Sequence, residues 1–271
     1  MKTIPRIAVC LYGSLGYKQT LFGQTNQNQT PLDIEEPIDS LLTNVIIPNN
    51  ADTFIHSWSI DRKKRLVEKL NPKLTIFENH KQFAKDINSI KNSVRSRFYS
   101  QQKSNSLKKE FERNNQFIYD VVLHTRMDLM WFNKLSLNKN IDNNFYASHW
   151  NISKKSDNLP IDKSNDNNNL GPFDKSNYGL GSGLIDHWFF SSSKNMDRFS
   201  EIYYDMKKLE FTTWKNSLKQ KKKLKNVWSY NPNHFCYIQA NKLGADIKYV
   251  LFRGYDYDLY RRYKNPNYFK K

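Results

Sequence analysis

The chain has 271 residues, with 43 Lys and Arg against 26 Asp and Glu for a net charge of +17, and a mean hydropathy of −0.80. That length suits one large domain, and an aromatic share of 14% excludes a disordered chain, which lacks the apolar surface to build a core. No run approaches the ~18 uncharged apolar residues of a spanning helix, and the first five residues carry no apolar run, so a cytoplasmic chain without a signal peptide is expected.

Ile7 to Tyr12 is a continuous apolar run that stops at Gly13-Ser-Leu-Gly16, which predicts a strand buried on both faces and a tight turn after it. Residues 19–36 lack periodicity and read as a loop. Ile38, Leu41, Leu42 and Val45 fall at helical spacing, with Pro48 ending the helix near Ile47. Ala51 to Trp58 predicts a second strand. A charged helix capped by Asp61 runs through Leu70, and Pro72 closes it. Lys73 to Phe77 is a short third strand. Two helical stretches follow, Gln82 to Lys91 and Val94 to Asn114, and then a fourth strand from Tyr119 to Thr125.

Strands alternating with helices in this way predict an α/β fold with a mostly parallel, Rossmann-like sheet covered on both faces. Beyond it, Phe145 to Ser148 and Ile185 to Ser191 read as strands, Asn195 to Glu210 and Asn233 to Lys242 as helices, and Ile247 to Phe252 as a last strand. The polar stretch at 151–183 reads as an insertion in a single domain spanning 1–271, and a loop of that length is expected to cover the acceptor side of a cleft. Cys10 and Cys236 each sit inside an apolar run, which predicts buried reduced thiols.

Most catalytic signatures are absent. There is no phosphate loop, Gly13-Ser-Leu-Gly16 lacks the third glycine of a dinucleotide fingerprint, and the six histidines show no paired metal spacing. Three features remain. Tyr12, Gly13 and Ser14 end the first strand, where an open parallel sheet binds ligands and small residues let backbone amides approach a nucleotide; the alternative is an ordinary turn. Arg126 and Asp128 are two apart on an extended segment and so share a side. There a carboxylate can hold a divalent cation and a guanidinium can fork a phosphate, or the two form a structural ion pair. Asp186 lies among apolar neighbours, so it is paired or functional, either as a general base for a sugar hydroxyl or as a hydrogen-bonded core residue.

The run from Ile7 to Gly13, the segment Asn49 to Trp58 and the segment Tyr119 to Leu129 resemble a group of bacterial and viral glycosyltransferase-like proteins. Arg97 to Ser100 and the apolar strand at Asp186 resemble theirs too. Such proteins are similar to the GT-A class, in which an Asp-x-Asp commonly binds Mn²⁺ or Mg²⁺. The resemblance implies a nucleotide-sugar donor held at Tyr12 to Ser14, a diphosphate or metal held by Arg126 and Asp128, and Asp186 as base. Arg126 stands where the first Asp of that pattern would be. A literal Asp256-Tyr-Asp258 follows the last strand. The implied acceptor is a glycan or a lipid-linked sugar.

The excess charge by itself points to a polyanion. Lys heavily outnumbers Arg, however, and Asn, Ile, Tyr and Phe are abundant, as codon bias in an AT-rich genome produces. Nucleic-acid readers need Arg for bidentate contacts, so the rival reading, a basic nucleic-acid-binding protein, stands behind the transferase. A degenerate transferase kept as a binding module is the third reading. The basic stretch Lys207 to Lys225 reads as a solvated helix face or as a peripheral contact with an anionic membrane.

Overall fold

The computed structural model describes residues 4–15, 33–80, 90–137, 141, 143–149, 183–219, 232–253 and 255–260. The first strand, β1 (Ile7–Gly13), pairs in parallel with β2 (Asp52–Ser57) on one side and with β4 (Val121–Arg126) on the other. Outside β2 lies β3 (Leu74–Phe77), also parallel. Beyond β4 come β7 (Trp188–Ser191), which is antiparallel, then β6 (Asn144–His149) and β8 (Asp246–Phe252). The seven-stranded order is β3-β2-β1-β4-β7-β6-β8. A separate two-stranded ribbon pairs β5 (Leu129–Trp131) with β9 (Tyr257–Leu259). This is an α/β, Rossmann-like fold.

β1 is apolar along its length because both faces are covered, while β2 and β4 bury polar residues (Thr53, His56, Ser57, His124, Thr125) beside their apolar ones. Alternate residues serve different cores, as the period of two requires. Ile7, Val9, Leu11, Ile55, Val121 and Leu123 face one core with α1 (Glu35–Leu41), α2 (Lys63–Leu70) and the β5–β9 ribbon. Ala8, Cys10, Phe54 and Val122 face the other, against α3 (Ile90–Asn115), α4 (Ser193–Phe199), α5 (Ile202–Lys219) and α6 (Pro232–Lys242). Cys10 and Cys236 are both buried free thiols in this second core.

Several expected boundaries change. The helix expected from Ile38 to Ile47 is α-helical only to Leu41; a π-helical turn (Leu42–Ile46) and a 3₁₀ turn (Ile47–Asn49) follow, ending on Asn50 in the left-handed region. Asp61 does not cap α2: it lies in a 3₁₀ turn (Ile60–Arg62), and its carboxylate accepts from Arg62 Nε at 2.9 Å. The second of the two helical stretches is α3, which starts at Ile90; 81–89 lie outside the described residues. The helix expected at Asn195–Glu210 is two helices, because Ser200 and Glu201 form a turn between α4 and α5. Except for Gly183, the polar stretch at 151–183 lies outside the described residues, as do the side chains of the basic stretch from 212 onward. Among the described residues no helix is long and apolar enough to cross a membrane.

One polar network is built into the second core. Lys108 of α3 is fully buried, and its Nζ donates to Glu112 (2.9 Å), Ser193 (2.6 Å) and Asp197 (2.8 Å). A buried ammonium with three acceptors is satisfied; one without them would not stay charged. His124 of β4 lies beside it, bonded to Gln101 and Asn105.

Candidate functional site

The chain runs from β1 to β2 and β3 on one side of the sheet, then returns to place β4 on the other side of β1. Strand order therefore reverses between β1 and β4, the point at which such sheets bind ligands beyond the carboxyl ends of their strands. Tyr12 and Arg126 are register partners there. A cleft of about 390 Å³ opens at this place, lined by Tyr12, Gly13, Ser14, Arg126, Asp128 and Asp186, and also by Trp58, His80, Arg97 and Pro232. All six residues singled out in the sequence meet in one cavity.

The β1 end is pinned from two sides. Gly13 has φ +99 and open space where a Cβ would be, so glycine is needed for its backbone conformation and not for room. Its N–H donates to Ser100 Oγ of α3 at 2.8 Å, and its carbonyl accepts from Ser57 Oγ at 3.0 Å and from the Trp58 N–H at 3.2 Å. Ser100 Oγ also lies 2.7 Å from His56 Nδ1. Tyr12 is buried; burial raises the pKa of its phenol, and the nearby Arg97 and Arg126 charges counter part of that rise.

At the β4 end the Arg126 guanidinium forks Asp128, Nε to Oδ1 at 2.8 Å and Nη2 to Oδ2 at 2.6 Å. Asp128 is 4% exposed. Burial disfavours the Arg126 charge, but Asp128 more than compensates and holds its pKa above the ordinary value. The same-side geometry expected from the spacing is thus present, although β4 ends at Arg126 and the chain bends before Asp128. The Arg126 N–H donates to the carbonyl of His187, which ties this end to the segment ahead of β7.

Asp186 is not on a strand. The strand expected from Ile185 begins at Trp188, and Asp186 sits in the turn before it. Its backbone carbonyl accepts from the Arg97 guanidinium rather than from a neighbouring strand, and its carboxylate is ion-paired with the same guanidinium. Gly183, at φ +96, is pressed against α6: a Cβ there would lie 2.4 Å from the Asn233 backbone.

The remaining wall is aromatic. Trp58 follows β2, its ring stacked on Tyr99 at 5.6 Å and edge-on to His56 and His80. His80 Nε2 lies 2.6 Å from Ser96 Oγ, and burial lowers its pKa. Asp256 and Asp258 stand elsewhere. Asp258 is buried and bound to Arg253 Nε at 3.0 Å, and Asp256 accepts from Asn133 at 2.7 Å, so the Asp256-Tyr-Asp258 run is a scaffold for the β5–β9 ribbon.

Among the described residues the donor set is poor for a divalent cation. Both Asp128 oxygens accept from Arg126, and among the described residues no group of three His, Cys, Asp or Glu side chains converges as a metal site would require. Arg97 was not among the residues picked for chemistry. Its signal was present in the sequence: it falls on the face of α3 that also carries the buried Val94, Phe98 and Gln101, where a charge needs a partner.

No protein-family model and no curated protein matches the chain. Among solved structures it is similar to a nucleoside-diphosphate-sugar pyrophosphorylase from Vibrio cholerae RC9, with 10% identity and a TM-score of 0.38 over 97% of this chain and 98% of that one. A likeness at that level does not bear on activity.

Proposed function

We propose that the cleft binds a nucleotide-sugar and that the protein is a glycosyltransferase, moving the sugar to a glycan or lipid-linked acceptor. The observation that carries this reading is the convergence of Tyr12–Ser14, Arg97, Arg126 and Asp186 on one cleft at the switch point between β1 and β4. A nucleoside diphosphate needs an aromatic wall for its base and cationic forks for its phosphates, and Trp58 and the two arginines are of those kinds. In the transfer, the bond from the anomeric carbon to the diphosphate oxygen breaks and its electron pair leaves on the nucleoside diphosphate. The acceptor oxygen bonds to the anomeric carbon, and its proton passes to a base. Asp186 is the carboxylate of the cleft assigned that role, while the guanidiniums offset the charge that develops on the leaving group.

The cleft contains carboxylates, as a transferase requires and a nucleic-acid groove does not, which favours the transferase over the basic-binder reading. One observation favours a catalytically silent binding module instead: Asp128 and Asp186 are each already held by an arginine. A thermal-shift screen of nucleoside diphosphates and nucleotide-sugars, followed by assay of sugar transfer and donor hydrolysis, separates these readings. A ligand at about 100 times its Kd adds about 2.7 kcal/mol. Stabilisation with turnover supports the transferase, stabilisation without turnover supports the module, and no stabilisation by any nucleotide removes both.

A further inference from the structure

We propose that Arg97 and Arg126 form the diphosphate subsite of this cleft and supply the charge compensation that a divalent cation would otherwise give, so that diphosphate binding is independent of metal. This rests on the nucleotide-sugar reading and specifies how its site works.

Two cations from different elements line the same cavity, Arg97 from α3 and Arg126 from β4. Tyr12, at the β1 terminus, lies within electrostatic reach of both, and the two guanidiniums lie within reach of one another. Each is oriented by a carboxylate: Asp128 takes Nε and Nη2 of Arg126, and Asp186 pairs with Nη1 of Arg97 while its carbonyl takes Nη2. A guanidinium carries five N–H donors in one plane. Two are used at each arginine by these contacts, which leaves donors directed elsewhere on a group whose charge cannot be titrated away. Arg126 is 19% exposed against 5% for its partner Asp128, whereas Arg97 and Asp186 are equally exposed at 15% and 16%. At Arg126 the anionic partner is withdrawn behind the cation, and both guanidiniums line the cavity. A cation at Asp128 would have to displace a fork already made at 2.8 and 2.6 Å, whereas a diphosphate can accept from the outer donors without breaking it. An added anion also relieves the repulsion between two close guanidiniums. The chain's net charge of +17 favours approach of that anion.

The test is isothermal titration of the full-length protein with inorganic pyrophosphate and with a panel of nucleoside diphosphates, in EDTA and again in Mn²⁺. The expected Kd agrees within about threefold between the two conditions. Arg97→Lys, which keeps charge and loses the fork, should weaken binding at least tenfold. Arg126→Met combined with Asp128→Leu, which removes the pair together and spares the fold an orphaned charge, should do the same, with folding checked by circular dichroism. Binding that appears only with Mn²⁺ overturns the metal-independent subsite and leaves the nucleotide-sugar reading standing. Metal-free binding that both variants retain overturns the assignment to these arginines. Absence of binding by any of these anions in either condition overturns the nucleotide-sugar reading itself, and the subsite with it.

Discussion

Asp128→Asn asks the most of the Arg126–Asp128 fork, because it removes one charge and little volume. In the wild-type protein both carboxylate oxygens accept from Arg126, at 2.8 and 2.6 Å, with Asp128 only 4% exposed. An Asn side chain keeps one acceptor oxygen and replaces the other with an NH₂ that faces a donor. One charge-assisted hydrogen bond is lost, and a mostly buried guanidinium is left uncompensated. Removing one partner of such a pair costs about 3–5 kcal/mol; because the remaining oxygen keeps one bond, about 3 kcal/mol is expected. For a chain of this size each kcal/mol moves Tm by about 2–4 °C, so Tm should fall by roughly 6–12 °C. Urea unfolding followed by circular dichroism, together with calorimetry, measures both quantities. The double variant Arg126→Met with Asp128→Leu should recover most of the loss, since an apolar pair of similar volume is often neutral relative to a buried ion pair, while pyrophosphate binding stays lost. A Tm within about 1 °C of wild type for Asp128→Asn would refute the claim that this fork is a buried, structural pair. The sequence allowed two outcomes, a functional site with an unmoved Tm or a structural pair with a lowered one. On the proposed reading Asp128 both pairs with Arg126 and orients it for the ligand, so stability and ligand affinity should fall together.

Four further outcomes follow from particular residues. Gly13→Ala adds a Cβ with nothing within 4 Å but forces an L-residue to φ +99, so it should cost about 1–2 kcal/mol, all of it backbone strain; denaturant unfolding that shows no loss refutes this. Gly183→Ala places its Cβ 2.4 Å from the Asn233 backbone and should destabilise more than Gly13→Ala, with faster hydrogen exchange in α6 as the specific sign. Lys108→Met removes the shared partner of Glu112 and Asp197 and should cost about 3–5 kcal/mol without changing pyrophosphate affinity; a change in affinity with an intact fold would contradict a purely structural network. Burial holds His56 down at about 4, and burial with Lys108 nearby holds His124 at about 3, while unfolded imidazoles titrate near 6.5. Below that value the unfolded chain takes up protons that the folded chain excludes, so stability is full above about pH 6.5 and declines as pH falls toward 4. Equal urea midpoints at pH 7 and pH 5 would count against this, and His124→Gln should flatten the slope.

Much of this protein follows from local patterns. The run at Ile7–Tyr12 is apolar throughout because both sheet faces are covered there, and Val121–Leu123 forms a shorter apolar run in β4 before the buried polar His124 and Thr125. Their alternation with helical segments implied parallel pairing, and from that the carboxyl ends of β1 and β4 as the place for a site. Tyr12, Gly13, Ser14, Arg126 and Asp128 could therefore be picked without coordinates. What local patterns cannot carry is partner choice across the chain. That Asp186 answers to Arg97, 89 positions away, and that both Asp128 oxygens accept from Arg126, depend on which side chains meet once α3 has packed on the sheet. The same holds for the β5–β9 ribbon, whose three-residue strands are too short to show a period and exist only because their pairing buries Trp131 and Tyr257 together. Hydrophobic periodicity is a property of one segment against a generic interior, whereas an ion pair is a property of two particular segments. The sequence by itself marked the residues that end β1 and β4 as the candidate site; only the tertiary structure decided that, among the described residues, arginines hold both carboxylates lining the cleft, Asp128 and Asp186, because their convergence is set by packing and not by spacing.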